Sequence, residues 1–262
     1  METTNGLDRF LSASGYTEPV DIKKLKFVYS AIERFARSRD RTMRSLEILE
    51  VACDEGWITF PLAALGGGVT AFDINEKSVE VLQAEIQRRT IRNLRVTVDD
   101  GYTFDDGRTY DVVVASEVFE HVTDPERFAA NVVRRMKEDA CLIVTIPNGY
   151  GPWETKNRLD VGNRLRKWNT LRRMMGKAPY VFGTGIDHCQ FYTRERLVQL
   201  LARHALRPVD FGKSDSFLTV FRPLRRSKLL GKIDGKLADF LPSGFASGWY
   251  FDFERRGGPS RG

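Results

Sequence analysis

Several features are missing from this sequence, and each absence narrows what it can be. No run of about 20 apolar residues occurs, so no membrane-spanning helix is expected. The opening residues METTNGLDRF show no basic stretch followed by an apolar one, and no secretory leader is expected. Cysteine is scarce. Cys53, Cys141 and Cys189 form no C-x-x-C pair, which argues against a thiolate metal site and for reduced thiols in a cytoplasmic protein. There is no internal repeat and no low-complexity tract.

The 262 residues suffice for one sizeable domain with an appended segment, and an apolar content of 42% suits a globular chain. The formal charge of +6 is unevenly distributed. One basic cluster runs from Lys156 to Lys177, opposed only by Asp160; a second holds Arg222, Arg225, Arg226, Lys228, Lys232 and Lys236, opposed by Asp234. Such clusters read either as solvated helix faces or as attraction to an anionic partner: phosphate groups, nucleic acid or a lipid surface.

Residues up to about 20 are polar and read as loose, and Leu25, Val28, Ile32 and Phe35 predict a helix over 21–37. From Leu46 onward, strands and helices alternate. LEILEVA, VTAFDI, LRVTV, YDVVVAS and CLIVTIP are strands; helices follow Gly56, open at an Asn75 cap, and start at Thr123 or Asp124 with Pro125 in the first turn. A further helix is capped by Thr193, two short strands are expected near 206–211 and 217–221, and the tail shows helical spacing at Leu230, Ile233, Leu237 and Leu241. This rhythm implies an α/β fold with a mostly parallel sheet covered on both faces. Right-handed crossovers bring the strand C-termini to one edge, where ligands bind. We expect an N-terminal helical segment over 1–44, a main domain over 45–222 with a basic lid insertion at 149–187, and a basic amphipathic extension over 223–262.

The loop after the first strand, ACDEG (Ala52–Gly56), is not the glycine pattern that closes on a pyrophosphate, and Asp54 would repel a phosphate. No GK[ST] follows, which excludes a P-loop. An acidic loop is compatible with S-adenosylmethionine, which carries a sulfonium, an ammonium and no phosphate. Asp73 is placed to accept from ribose hydroxyls, and Asp99 or Asp100 from the adenine amino group. Glu50, a carboxylate on a buried strand, needs a partner.

ILEVACDEGWITFPLA, VTAFDIN, YDVVVASEVFEHVTDPERFAANVVRRMK and LIVTIPN together resemble the class I, Rossmann-like S-adenosylmethionine-dependent methyltransferases. Within them the pattern is similar to the type 11 group and the ubiquinone-biosynthesis O-methyltransferases. The likeness runs in order from about Leu46 to Asn148. It departs at the first loop, where Ala52 and Asp54 replace two glycines of G-x-G-x-G and Gly56 is kept. The resemblance implies a doubly wound, mostly parallel seven-stranded sheet. It also implies cofactor contacts from Glu50, Ala52, Cys53, Asp54, Gly56, Asp73, Ile74, Asp99, Asp100, Ser116 and Glu117.

Glu117, Glu120 and His121 stand at i, i+3 and i+4, so a helix after the fourth strand would aim all three one way. With His188 in DHCQFYTRERL, they resemble the E-x-x-E-H and distant His set of metal-dependent O-methyltransferases that act on RNA 2′-hydroxyls or catechol-like rings. That likeness implies a divalent metal on Glu117, Glu120, His121 and His188. Mixed carboxylate and imidazole donors suit manganese, iron, cobalt or zinc better than magnesium. Without a metal, His121 and His188 remain as catalytic candidates, His188 as general base, or the set shapes the cofactor pocket.

The acceptor is expected to be a small, lipid-linked or sugar-linked hydroxyl compound. The lid aromatics Trp153, Trp168, Tyr180 and Phe182 suit a ring or sugar, and the lid's basic amphipathic character allows contact with an anionic membrane surface. Nucleic acid ranks lower, since no RNA-binding module is recognisable. Two alternatives stay open: a non-catalytic cofactor-binding homologue, and an enzyme that methylates RNA or another nitrogen.

Overall fold

The computed structural model describes residues 2–152, 154–155, 175, 188–216 and 228–255. Most of the expected lid, including its helix, and the strand expected at 217–221 lie outside the described residues. Strands β1 (Glu47–Val51), β2 (Gly68–Asp73), β3 (Leu94–Val98), β4 (Tyr110–Ser116) and β5 (Met136–Pro147) follow the sequence reading. They are joined by α3 (Thr59–Ala64), α4 (Glu76–Arg89) and α5 (Pro125–Arg134). Asn75 caps α4 by accepting from Lys77 and Ser78 amides, and Asp124 rather than Thr123 caps α5 by accepting from the Arg127 amide.

Beyond β5 come α6 (Arg194–Arg203), β6 (Leu206–Lys213), α7 (Lys228–Phe240) and β7 (Gly248–Arg255). The sheet has seven strands in the order β3-β2-β1-β4-β5-β7-β6. The first five named are parallel; β7 lies antiparallel between β5 and β6. The sheet thus takes a strand from the segment read as an extension. Its alternation explains the placement: Trp249, Phe251 and Phe253 enter one core face while Asp252 meets Arg34 on the other.

The N-terminus also differs from expectation. Residues read as loose form α1 (Glu2–Ala13), ahead of α2 (Pro19–Ser38). Phe10 is fully buried and meets Tyr29 of α2 edge-on at 5.5 Å, and Leu7 and Leu11 pack beside it on the same core.

Both sheet faces are buried, with side chains alternating along each strand. Leu49, Val113, Ala115, Leu142 and Val144 face α5 and α6; Ile48, Val112, Val114, Cys141 and Ile143 face α1 to α4. Asp111 is the exception within β4. It is buried, accepts the Glu47 amide at 2.8 Å, pairs with Lys137 at 2.9 Å, and takes a two-pronged bond from Arg41 after α2. Burial alone would raise its pKa; the bonds from Arg41, Glu47 and Lys137 outweigh that and hold it below the ordinary 3.8.

Asp111→Ala is expected to cost about 2–4 kcal/mol in chemical denaturation at neutral pH, because it strands two cations and an amide. A lowered folded-state pKa means the contribution is complete above 3.8 and is lost as pH falls below it. The gap between variant and wild type should therefore close only in that acid range.

Candidate active site

The parallel strands all end at one edge, and the order reverses between β1 and β4, which makes a crevice there. The loop leaving β1 is shaped by backbone conformations that L-residues avoid: Ala52, Asp54 and Gly56 all have positive φ, at 57°, 43° and 84°. These are the three positions where the resemblance expects glycine, so the turn survives although two glycines do not. Gly56 has no latitude, since a Cβ there would sit 2.7 Å from Leu82 and 3.1 Å from Phe60.

Asp73 holds this turn. One carboxylate oxygen accepts the Asp54 amide and the other the Asn75 amide, both at 2.8 Å. Asp99 and Asp100 shape the next turn, where Asp99 accepts the Asp100 amide and Asp100 that of Tyr102. Around the crevice runs a cleft of about 460 Å³. It brings together Ala52, Asp54, Asp73 and Ile74 with Asp99, Asp100, Glu117 and His121. Glu50, Cys53, Gly56 and Ser116 do not line it. Glu50 lies buried in β1, Cys53 is buried, Gly56 packs beneath the loop, and the Ser116 hydroxyl bonds that of Thr145 at 2.7 Å. Among the described residues no lysine or arginine lines the cleft. Five carboxylates, of which only Glu117 meets a cation among the described residues, favour a positively charged, phosphate-free ligand.

Glu50 is the exceptional acid. Burial, reinforced by the charge on Asp73 and moderated by Thr59, pushes its pKa up to about 8, and its Oε2 has no hydrogen-bond partner among the described residues.

Past β4 the chain does not continue as an α-helix. Glu117 takes a left-handed φ of 53°, and Phe119–His121 form a single 3-10 turn. The i, i+3, i+4 argument therefore fails for its first member. Glu117 points aside, accepts from the Thr145 hydroxyl at 2.9 Å and faces the Lys24 ammonium at 3.7 Å. Glu120, His121 and His188 do converge, each offering a ligand atom within 4.8 Å of the others. The clamp is in the backbone: the Glu120 carbonyl accepts from the amides of Cys189 at 2.7 Å and Gln190 at 2.9 Å. That pairing sets the His188 ring nearly perpendicular to His121, with centroids 4.8 Å apart. Burial, then the charge on Glu117, raises the Glu120 pKa well above the carboxylate range, and its Oε2 has no hydrogen-bond partner among the described residues. A buried unsatisfied carboxylate oxygen beside two imidazoles fits a borderline divalent cation.

A second cavity of about 270 Å³ adjoins the cleft, and Glu117 lines both. Lys24, Glu154, His188 and Tyr250 line the second. Two of these were missed in the sequence. Lys24 stands beside Lys23 and Lys26 in an ordinary amphipathic helix, and nothing local marks it as the one turned inward. Glu154 is buried with Oε1 3.2 Å from His188 Nδ1, yet its neighbourhood GPWETK carries no motif. Burial would lower the Lys24 pKa, but Glu117, with Tyr16, Asp21 and Glu120, raises it on balance, so the ammonium stays charged. Tyr16 stacks on Trp57 at 5.2 Å, so the link between α1 and α2 closes over the β1 loop.

A family profile described as a methyltransferase domain matches residues 23–210. The chain is 32% identical over 119 residues to a ubiquinone biosynthesis O-methyltransferase of Rickettsia akari, covering 45% of this chain and 46% of that protein. It is 25% identical over 167 residues to the Bartonella quintana protein of the same name, covering 63% and 62%. The match therefore spans about half the length of the first of these relatives. In fold it is similar to the magnesium protoporphyrin IX methyltransferase of Synechocystis PCC 6803 with bound S-adenosylhomocysteine, at a TM-score of 0.54 and 15% identity over 96% of this chain and 95% of that one.

Two predictions test the loop and the acid beneath it. Ala52→Gly should stabilise the protein by about 0.5–1 kcal/mol, since it relieves a left-handed alanine at some cost in unfolded-chain entropy. The check is a melting temperature raised by about 1–4 °C. For Glu50, a pKa raised from 4.5 to about 8 means the folded state holds its proton longer than the unfolded state. Stability attributable to it is whole below 4.5 and is lost as pH rises toward 8. Glu50→Gln should thus gain on wild type by at least about 1 kcal/mol across that window, read by urea titration at several pH values.

Proposed function

The chain belongs to the methyltransferase-domain family; we propose that it is an S-adenosylmethionine-dependent methyltransferase and that the atom it methylates is a hydroxyl oxygen of a small, lipid-linked or sugar-linked acceptor. One observation carries this reading. The carboxylate-lined cleft and the cavity holding His188 meet at a single side chain, Glu117. The cleft would take the cofactor, with Asp73, Asp99 and Asp100 toward its adenosine and the Ala52–Gly56 loop toward its methionine end. The cavity would take the acceptor, whose reacting oxygen then lies on the far side of the methyl carbon from sulfur.

The transfer itself is a displacement. An oxygen lone pair forms the new C–O bond, the C–S bond breaks, and its electrons stay on sulfur as the neutral thioether. Alignment supplies most of the acceleration, because the sulfonium is already activated. The remaining task is the acceptor proton. His188, whose Nδ1 lies 3.2 Å from the buried Glu154 carboxylate, would accept it on Nε2. Lys24, buried and charged beside Glu117, would favour the oxyanion as it develops. A divalent cation on Glu120, His121 and His188 would lower the acceptor's pKa when bound, and the donor set suits manganese, iron, cobalt or zinc. The relatives that carry the name O-methyltransferase support oxygen over nitrogen.

The test has two parts. Titration calorimetry with S-adenosylhomocysteine should show binding that Asp73→Ala weakens about tenfold or more; no heat at millimolar ligand would leave the non-catalytic reading standing. With catechol as probe acceptor, His188→Ala should lower turnover about a hundredfold or more while cofactor binding persists. Chelator followed by manganese then separates the two roles of His188: turnover lost and restored marks a ligand, and turnover unmoved marks a base alone.

A further inference from the structure

Helix α7 is oriented against the usual rule for a surface helix. Its inward side carries Gly231, Asp234, Gly235 and Ala238, all buried. Gly231 lies on Pro19, Gly235 approaches Lys23, and Asp234 accepts from the Ser216 amide and hydroxyl. Small residues and one satisfied acid let α7 lie close to α2. Leu230 and Leu237 are half-buried, while three large apolar residues are left outside, Leu229, Ile233 and Phe240 at 68%, 46% and 88% exposed. They recur with Lys236 at i, i+4, i+7 and i+11, one face of the helix.

That face does not stand alone. Between α7 and the first turns of α2 runs an open groove of about 520 Å³, lined by Ile22, Leu229 and Ile233 and rimmed by Lys23, Lys26, Lys232 and Lys236. Lys23 is neutralised by Asp239 at 2.7 Å. Among the described residues no ion pair engages Lys26, Lys232 or Lys236. We propose that the α2–α7 face docks on an anionic bilayer surface, with Leu229, Ile233 and Phe240 entering the acyl boundary and the lysines meeting lipid phosphates.

The combination of charges and apolar side chains selects this occupant. An apolar row flanked by long cationic side chains is what an interfacial helix presents, and lysine stems can lie along the apolar floor while their ends reach the headgroups. A second copy would bring two lysine rims face to face across a two-fold axis. Nucleic acid would satisfy the lysines but leave the aliphatic row without a partner. Docking stands apart from methyl transfer and is read without turnover. One consequence rests on the proposed acceptor cavity: the same turns of α2 that give Ile22, Lys23 and Lys26 to the groove give Asp21 and Lys24 to that cavity. Lys23 also bonds the carbonyl of Ser214, whose residue lines it, at 2.9 Å. A docked enzyme would therefore hold the cavity close to the lipid surface, as a membrane-borne acceptor requires.

The experiment is flotation of the full chain with phosphatidylcholine vesicles, with and without phosphatidylglycerol. Wild type should float with the anionic vesicles only, and less so as salt rises. Leu229→Asp with Ile233→Asp, and separately Lys232→Glu with Lys236→Glu, should each lower the bound fraction about tenfold while S-adenosylhomocysteine binding stays intact. Wild type that fails to float overturns the proposal, as do variants that float unchanged, which would place the contact elsewhere on the chain. Sedimentation velocity showing a wild-type dimer that the aspartate variant dissolves, with no flotation, overturns it in favour of a second copy.

Discussion

Everything at the cofactor end depends on one carboxylate that spends its two oxygens on backbone amides. Asp73 ties the loop after β1, through the Asp54 amide, to the start of α4, through the Asn75 amide. The loop it restrains holds two non-glycine residues in left-handed conformations, each of which costs about 1–2 kcal/mol more than it would for glycine. A turn that expensive persists only where the surroundings over-determine it. Here they do: Asp73 pulls from below, Ser78 bonds the Asp54 carboxylate, and Trp57 is stacked under Tyr16. The same constraint fixes the chemistry of the cleft. With its amides already engaged and its side chain acidic, the loop offers nothing to a pyrophosphate.

The second organising element is the pair formed by Lys24 and Glu117. Glu117 stands where the two cavities meet, and its left-handed backbone turns it away from Glu120 and toward α2. An acid there would repel the developing negative charge of an attacking oxygen unless it were balanced. Lys24 would supply the balance, and because it arrives on α2, the N-terminal helices help wall the cavity rather than standing apart from it. Behind this pair, burial and the charge on Glu117 both oppose the ionisation of Glu120 and raise its pKa.

What could be read from the sequence was governed by local periodicity and local capping. The five parallel strands, the caps at Asn75, Asp124 and Thr193, and the acidic sheet edge are all set by residues near one another in the chain. The failures share a different cause. α1 is held by Phe10, Leu7 and Leu11 packing onto a core built from helices and strands elsewhere in the chain, which local periodicity does not register. β7 pairs with β5 across more than a hundred residues, and its antiparallel place between β5 and β6 is a tertiary fact. Glu117 was misplaced because an i, i+3, i+4 spacing implies a shared face only in an α-helix, and the chain makes one 3-10 turn instead. Lys24 and Glu154 become significant only through what folds against them.

The distribution of charge links these parts. The net charge of +6 describes the chain as a whole and conceals a segregation by depth. Carboxylates line the cleft, where a cationic cofactor would enter, while the α2–α7 rim carries Lys26, Lys232 and Lys236, which enter no ion pair among the described residues. Helix α2 separates the two fields: Lys24 turns inward to a carboxylate, whereas Lys26, just over half a turn further on, faces the groove. Mixing the two sets would weaken both. A lysine in the cleft would oppose a sulfonium, and the one carboxylate that lines the groove among the described residues, Asp239, is taken up by Lys23. One amphipathic helix thus carries lysines into two different surroundings, Lys24 to the carboxylate where the two cavities meet and Lys26 to the outer groove.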